Sequence, residues 1–174
     1  MSGISYRDAG FDDAASVGDL SRQTFVETFG HLYRPQDLDA FLAGLDDRIW
    51  REELGDPAFS IRIAEAGGRP IGYVKLGPLA LPVDPGEKGA ELRQLYVLKP
   101  WHGRGIAHRL IDWVLARARE RGVGRLFLSV WSGNERAKNF YSRYGFSYVA
   151  PYRFMVGEQA DEDEIWALTL KADP

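Results

Sequence analysis

The hydrophobic and polar positions of the first third of the chain predict a short strand followed by three helices. Ile4 to Arg7 has the character of a strand. Asp12 is suited to cap a helix that continues to Phe29, since apolar side chains recur on one face at Ala15, Leu20, Phe25, Val26 and Phe29. Pro35 to Leu42 predicts a second helix with proline in its first turn, and Asp46 to Leu54 predicts a third. We expect the first helix to lie on a sheet.

The next segment predicts a β-hairpin and a loop. Phe59 to Glu65 and Pro70 to Leu76 are strand-like, and the turn between them contains two adjacent glycines. The stretch from Gly77 to Gly89 contains three prolines. Because proline cannot donate to a strand ladder, this stretch is predicted to be a loop.

A βαβ unit is predicted between Glu91 and Trp131. Its strands are Leu92 to Leu98 and Arg125 to Trp131, and its helix is Gly103 to Arg121. One face of the helix is apolar, at Ile106, Leu110, Ile111, Val114 and Ala118. The second strand is almost continuously apolar, as in strands covered on both faces, so the two strands are predicted to be parallel.

The composition fits one domain that covers residues 1–174. With 45% hydrophobic and 27% charged residues, the chain is long enough to bury a core of its own. A net charge of −3 gives no overall field for binding nucleic acid or an anionic membrane, so neither partner is expected. No run approaches the roughly 20 apolar residues of a membrane span, and the N-terminus lacks signal-peptide character. We expect a cytoplasmic protein.

The absence of cysteine narrows the chemistry. It excludes disulfides, cysteine nucleophiles and thiolate metal sites. The three histidines, His31, His102 and His108, are scattered, so no metal site is expected.

The turn between the strand and the helix, Pro100 to Ala107, is the clearest candidate site. Gly103 and Gly105 permit a tight bend and the close approach of a ligand, and the first amides of a helix have no partner within it. These features suit a phosphate, while glycines that serve only the turn geometry remain an open alternative. A G-x-G-x-x-G motif would need glycine at His108, and a P-loop sequence is absent.

Two motifs in the expected order resemble the GNAT superfamily of acetyl-CoA-dependent N-acyltransferases. The residues His102 to Ala107 match [Q/R]-x-x-G-x-[G/A] except for histidine at the first position, and Asn134 to Phe146 fits N-x-x-A-x-x-x-Y-x-x-x-G-F. The likeness covers nearly the whole chain and is greatest to PaiA-type spermidine/spermine N-acetyltransferases. It implies an α/β fold with a mixed, mostly antiparallel sheet, a splayed central parallel strand pair and flanking helices.

The resemblance also implies an acetyl-CoA site. The strand end at Leu95, Tyr96 and Val97 would bond the pantetheine arm through its backbone, and Asn134 would contact it from the other side. The pyrophosphate would be held by the turn that comprises His102, Gly103, Arg104, Gly105, Ile106 and Ala107. Simpler alternatives are an apolar core role for Leu95 and Val97, a helix N-cap role for Asn134 and a solvent-facing turn position for His102.

Acetyl transfer to an amine needs a proton donor and a proton acceptor. An alkylammonium has a pKa of about 10.4 and a departing thiolate one of about 8.5, so the first must lose a proton and the second gain one. By the resemblance Tyr141 is the candidate acid, the alternative being a core aromatic. Glu91 is the candidate base, the alternative being an exposed strand carboxylate.

The expected reaction moves acetyl from acetyl-CoA directly to a small primary amine in a ternary complex, without a covalent enzyme intermediate. The resemblance implies a polyamine such as spermidine or spermine, with Glu27 and Glu91 as candidate carboxylates near its path. The run Asp161 to Glu164 is predicted to be a solvated loop before a last strand, Ile165 to Leu170, and is not counted as a site. Alternatives are acetylation of a protein N-terminus, a lysine or another small amine, or a CoA-binding sensor without activity. Aromatic side chains would allow a homodimer.

Overall fold

The computed structural model describes residues 3–170, which are arranged around one seven-stranded sheet. The strands are β1 (Ile4–Asp8), β2 (Ser60–Ala66), β3 (Arg69–Gly77), β4 (Gly89–Val97), β5 (Arg125–Trp131), β6 (Ser147–Val156) and β7 (Gln159–Thr169). Between β2 and β3, Gly67 and Gly68 have φ angles of 58° and 76°, which glycine adopts without strain. The predicted hairpin is confirmed.

Five α-helices lie in the described part of the chain. They are α1 (Ala14–Phe29), α2 (Pro35–Ala43), α3 (Asp47–Leu54), α4 (Ile106–Glu120) and α5 (Glu135–Arg143). Asp46 caps α3, because its carboxylate accepts the amides of Arg48 and Ile49 at 2.8 and 3.4 Å. The predicted cap at Asp12 is wrong, since this residue lies inside a short 3₁₀ helix, Phe11–Asp13, that precedes α1. None of the helices in residues 3–170 is long and apolar enough to cross a membrane.

The strand order is β1-β2-β3-β4-β5-β7-β6, and β4 and β5 form the parallel pair of an otherwise antiparallel sheet. The predicted fold class is therefore confirmed. Pairing between β4 and β5 extends only from Gly89 to Glu91 on one strand and from Arg125 to Phe127 on the other. Beyond this point the two strands diverge, and the backbone of residues 92–97 has an edge free of strand pairing.

Helices cover both faces of the sheet. On one face α4 buries Ile106, Leu110, Ile111 and Val114, each at most 1% exposed, and α5 packs at the margin of the same core. Burial of each of these side chains away from water stabilises the folded state by about 1.5–3 kcal/mol. On the other face α1 and α3 pack on β2 and β3, while an aromatic cluster joins α1 and α2 to β6. The gap between β4 and β5 is thus enclosed from two sides.

Two predicted boundaries near this gap are wrong. The helix α4 begins at Ile106 rather than Gly103, because Gly103 and Gly105 adopt positive φ angles of 77° and 78° that belong to a turn. The acidic run is not a loop, since Asp161 to Glu164 lies within β7. All four residues pair with β6, and Asp163 and Glu164 also pair with β5. The last strand therefore begins at Gln159, six residues before the predicted start.

Candidate active site

A cavity of about 780 Å³ occupies the gap between the diverging strands β4 and β5. Its walls come from α1, both strand ends, the turn before α4, α5 and β7. The structure brings most of the predicted site residues to this one cavity: Leu95, Tyr96, Val97, His102, Gly103, Gly105, Ile106, Ala107, Asn134 and Tyr141. A volume of this size lies in the range of small-molecule and cofactor sites.

The turn before α4 is built to leave room for a ligand. A Cβ placed on Gly103 or Gly105 would meet no atom within 4 Å, so these glycines are not required by packing against the protein itself. The first main-chain bond of α4 runs from the amide of Arg109 to the carbonyl of Gly105 at 3.1 Å. The amides that precede Arg109 have no partner inside the helix and lie at its positive end. The open space and these donors together fit a diphosphate.

His102 fastens this turn to its surroundings. Its Nε2 donates to the carbonyl oxygen of Val97 at 2.7 Å, and Arg136 of α5 donates to its Nδ1 at 2.8 Å. The imidazole therefore connects the end of β4, the turn and α5. The motif does not predict these two contacts, because it specifies the residue types of the turn and not the partners of its first side chain.

The side chain of Arg104 contacts the ring of Trp101 beside the turn. Its guanidinium carbon lies 4.7 Å from the centre of the Trp101 ring, a cation–π contact, and Arg104 does not line the cavity. The side chain therefore packs beside the turn, and only its backbone belongs to the predicted phosphate cradle.

Asn134 is the N-cap of α5 and also a residue of the cavity wall. Its Oδ1 accepts the amide of Ala137 at 3.2 Å and so caps α5, and the residue also lines the cavity opposite β4. The cap fixes the start of α5, the helix that carries Tyr141.

Tyr141 lies on α5 between two aromatic neighbours. Its ring meets those of Phe140 and Phe146 edge-on, with centroids 5.4 and 5.6 Å apart. Burial raises the pKa of its phenol above the ordinary value of 10.0, so the hydroxyl keeps its proton at neutral pH. Tyr141 is thus a cavity-lining hydrogen-bond donor as well as a member of the core margin.

Glu91 lies outside the cavity. Its Oε1 accepts the amides of Ala80 and Leu81 at 3.0 and 3.2 Å, and its Oε2 lies 3.7 Å from Nε of Arg93. The residue is 8% exposed, and burial raises the pKa of its carboxyl. These contacts hold the loop after β3, so the geometry does not favour Glu91 as the base. The alternative of an exposed carboxylate is also wrong.

Two carboxylates of the run predicted to be a solvated loop line the cavity. They are Asp161 and Asp163 of β7. Tyr33 donates a hydrogen bond to Asp161, and Tyr33 and Asp161 are both buried, whereas Asp163 is half-buried. Glu27, in contrast, accepts the amide of Lys99 at 2.9 Å and does not line the cavity. The signal that could have found the two aspartates is the alternation of a strand, which places every second residue on the same face.

Comparison with known sequences identifies the family. The sequence model of the Acetyltransferase (GNAT) family matches residues 22–146. The chain belongs to the GNAT acetyltransferase family. As a GNAT protein it is an acetyl-CoA-dependent N-acetyltransferase, and its acceptor is an amine. Among residues 3–170 of this GNAT enzyme, no group of three or more His, Asp or Glu side chains is arranged to hold a metal ion.

Two relatives match this GNAT enzyme over nearly their whole length. It is 29% identical over 168 residues to an uncharacterized N-acetyltransferase in the pepI 3' region of Lactobacillus delbrueckii subsp. lactis, which covers 94% of this chain and 95% of the relative. It is 30% identical over 159 residues to an uncharacterized N-acetyltransferase of Mycobacterium tuberculosis, and the match covers 91% of this chain and 98% of the relative.

Solved structures share the GNAT fold of this chain. The PaiA N-acetyltransferase of Thermoplasma acidophilum in complex with coenzyme A superposes with a TM-score of 0.75 at 17% identity, over 96% of this chain and 99% of that one. The ribosomal-protein-S18-alanine N-acetyltransferase of Escherichia coli superposes with a TM-score of 0.73 at 13% identity, over 99% of this chain and 97% of that one. At these identities the likeness concerns the fold alone.

Proposed function

We propose that this protein acetylates a small primary amine of the polyamine kind, using the cavity between β4 and β5 for both substrates. The observation that carries the proposal is the continuity of this cavity, which extends from the glycine turn past Tyr141 to Asp161 and Asp163. One end offers unpaired helix amides for a diphosphate, and the other offers carboxylates for an ammonium group. Acetyl-CoA bound there supplies an activated acyl group as a thioester.

The backbone provides most of the contacts for the cosubstrate in this proposal. The amides from Gly103 to Ala107 hold the pyrophosphate. The unpaired edge of β4 at Leu95, Tyr96 and Val97 and the side chain of Asn134 hold the pantetheine arm from two sides. The bound coenzyme A of the similar PaiA protein supports this use of the fold.

Tyr141 assists the departure of sulfur in this proposal. The pKa of its phenol is above that of a thiol, so Tyr141 acts first as a hydrogen-bond donor to the developing thiolate. A phenol on the rigid α5, capped by Asn134, needs little reorganisation to do so.

The acceptor end of the cavity supports a compact polyamine. Asp161 and Asp163 supply negative charge on one wall, and the aromatic faces of Tyr33 and Tyr96 suit methylene groups or a second ammonium. A second candidate is an amine on an apolar or aromatic body. It is favoured by three further rings that line the same end, Phe25, Phe41 and Phe154.

A panel of amines tests the proposal. The purified protein is incubated with acetyl-CoA and one amine at a time. The panel contains three polyamines (spermidine, spermine and putrescine), two arylalkylamines (phenethylamine and tryptamine), a lysine peptide and a peptide with a free N-terminal alanine. The acetylated products are identified and quantified by mass spectrometry. The proposal predicts the highest kcat/KM with a polyamine. A preference for phenethylamine or tryptamine would favour the second candidate, and a preference for a peptide would overturn both.

A further inference from the structure

Asp163 lies where β7 passes the open gap of the sheet. In the strand register it is opposite Trp131 of β5 and Tyr152 of β6. It shares a sheet face with Asp161 and Ile165. That face is opposite the α4 core, in which the alternate residues Trp166 and Leu168 pack, and on it Ile165 packs with Leu81 while Asp161 accepts a hydrogen bond from Tyr33. Asp163 therefore lines the cavity from the side opposite α4 and α5.

The carboxylate of Asp163 has no protein partner in residues 3–170. No hydrogen bond reaches it there, and no lysine, arginine or histidine nitrogen lies within 4.0 Å, whereas Asp161 already accepts a bond from Tyr33. A partly buried, ionised carboxylate without a cationic partner lowers the stability of the folded protein. A cationic ligand beside Asp163 would therefore stabilise the fold.

The groups that face Asp163 from neighbouring elements are acidic or neutral. They are Asp161 on its own strand, Tyr96 of β4, Tyr152 of β6 and Tyr33 after α1. Burial, together with the charge of Asp161, raises the pKa of Asp163 to about 7. Burial, with the charge of Asp163 adding to it, raises the pKa of Tyr96 to about 12. Asp163 thus titrates near neutral pH, as an efficient general base should.

Asp163 and Tyr141 lie on opposite sides of the gap. Tyr141 comes from α5 on one face of the sheet, and Asp163 faces the other. Tyr96, Tyr141 and Asp163 all line the same cavity. A nucleophile that approaches from one side and a sulfur that leaves on the other would each meet its own proton-transfer group.

We propose that Asp163 binds the substrate ammonium and accepts a proton from it, so that a neutral amine is delivered to the acyl carbon. The ammonium gives one proton to the carboxylate, which later releases it to solvent. The new carbon–nitrogen bond forms as the carbon–sulfur bond breaks, the nitrogen loses a second proton, and the sulfur gains one. One acetylated amine, one free thiol and one solvent proton result. This role rests on the proposed function, and Glu91 is not needed for it.

The test compares Asp163→Asn with Glu162→Gln over pH 5.5 to 9.5. Glu162 is exposed and lies on the opposite face of the same strand, so it is the matched control. Asp163→Asn is expected to lower kcat/KM at pH 7 by about 100-fold or more. Its residual rate should rise steadily toward the pKa of the amine, without the inflection near pH 7 expected for the wild type. The control should keep the wild-type profile.

Thermal stability separates this role from a structural one. The folded pKa of Asp163 lies above the ordinary 3.8, so the folded protein binds the proton more tightly and loses stability as pH rises from about 4 through 7. Asp163→Asn should therefore raise Tm relative to the wild type at pH 8 and leave it nearly unchanged at pH 4. A misfolded variant would show a lower Tm at both.

Two results would overturn the proposal. One is an Asp163→Asn protein with the wild-type kcat/KM and pH profile. The other is a variant whose lost activity tracks a lower Tm and weaker acetyl-CoA binding by calorimetry. Failure of the proposed function would give a different result, since the wild-type protein would then acetylate none of the amines. That result would also rule out the proposed role of Asp163.

Discussion

His102 Nε2 lies 2.7 Å from the carbonyl oxygen of Val97, and this contact joins the glycine turn to the open end of β4. Because Arg136 donates to Nδ1 at 2.8 Å, Nδ1 is the acceptor and Nε2 carries the proton. One imidazole thereby connects the two segments that would hold the pyrophosphate and the pantetheine arm. His102 would therefore affect acetyl-CoA binding indirectly, by holding the glycine turn and the end of β4 in position.

Replacing His102 should weaken acetyl-CoA binding. A neutral hydrogen bond contributes about 0.5–1.5 kcal/mol, so His102→Ala is expected to raise the Kd about 2- to 10-fold per bond lost. Isothermal titration calorimetry measures this, and His31→Ala is the control, since His31 is exposed and outside the cavity. Equal Kd values for both variants would show that His102 does not position the turn.

Two glycine variants separate backbone strain from ligand contact. Gly105 and Gly122 have φ angles of 78° and 72°, and a Cβ on either meets nothing within 4 Å. Alanine at either position should cost roughly 1–2 kcal/mol of stability for its left-handed conformation. Only Gly105 lines the cavity, so only Gly105→Ala should also weaken acetyl-CoA binding, by at least about 10-fold. Similar Kd values in the two variants would contradict the assignment of the turn.

Removing the hydroxyl of Tyr141 should slow the chemistry and spare binding. Tyr141→Phe is expected to lower kcat by about 100-fold, the lower range for loss of a proton-transfer group, with an unchanged Kd for acetyl-CoA. Tyr144→Phe is the matched control on the turn after α5, since the Tyr144 hydroxyl bonds to Nδ1 of His108 at 2.7 Å. If Tyr141→Phe kept full turnover, the phenol would have no part in sulfur departure.

Glu91 is expected to matter for stability rather than for proton transfer. Glu91→Gln keeps an oxygen for the amides of Ala80 and Leu81 and should retain most of kcat. Glu91→Ala leaves both amides, including that of the buried Leu81, without their acceptor and should lower the free energy of unfolding by about 1–3 kcal/mol. Denaturant unfolding and steady-state kinetics measure the two effects. A 100-fold loss of kcat in a stable Glu91→Gln protein would identify Glu91 as the base after all.

The sequence predicts much of the fold because the apolar periods are strong. The βαβ unit and the hairpin were predicted from alternation, helical period and adjacent glycines, and the structure confirms each element. The predicted start of α4 lies three residues before the observed one, since a pattern of apolar positions carries no information on the sign of φ at Gly103 and Gly105.

The acceptor end of the site was harder to predict. A run of four acids in sequence looks solvated, yet in β7 Asp161 and Asp163 turn toward the cavity, while Glu164 contacts Lys138 at 3.5 Å on the other side. Which face a polar strand presents to a cavity depends on the partner strands and on the gap between β4 and β5. Strand alternation groups Asp161 with Asp163 on one face, but which face meets the cavity depends on these long-range relationships.

Acetyl transfer to an amine is tested most directly by measuring the amine-dependent release of free thiol from acetyl-CoA. The chain has no cysteine, so a thiol reagent reports coenzyme A without background from the protein. We predict one thiol per acetylated amine with the wild-type protein, and strongly reduced release with Tyr141→Phe and Asp163→Asn. Calorimetric binding of acetyl-CoA without thiol release, across the full panel of amines, would contradict the account and leave a CoA-binding protein without transferase activity.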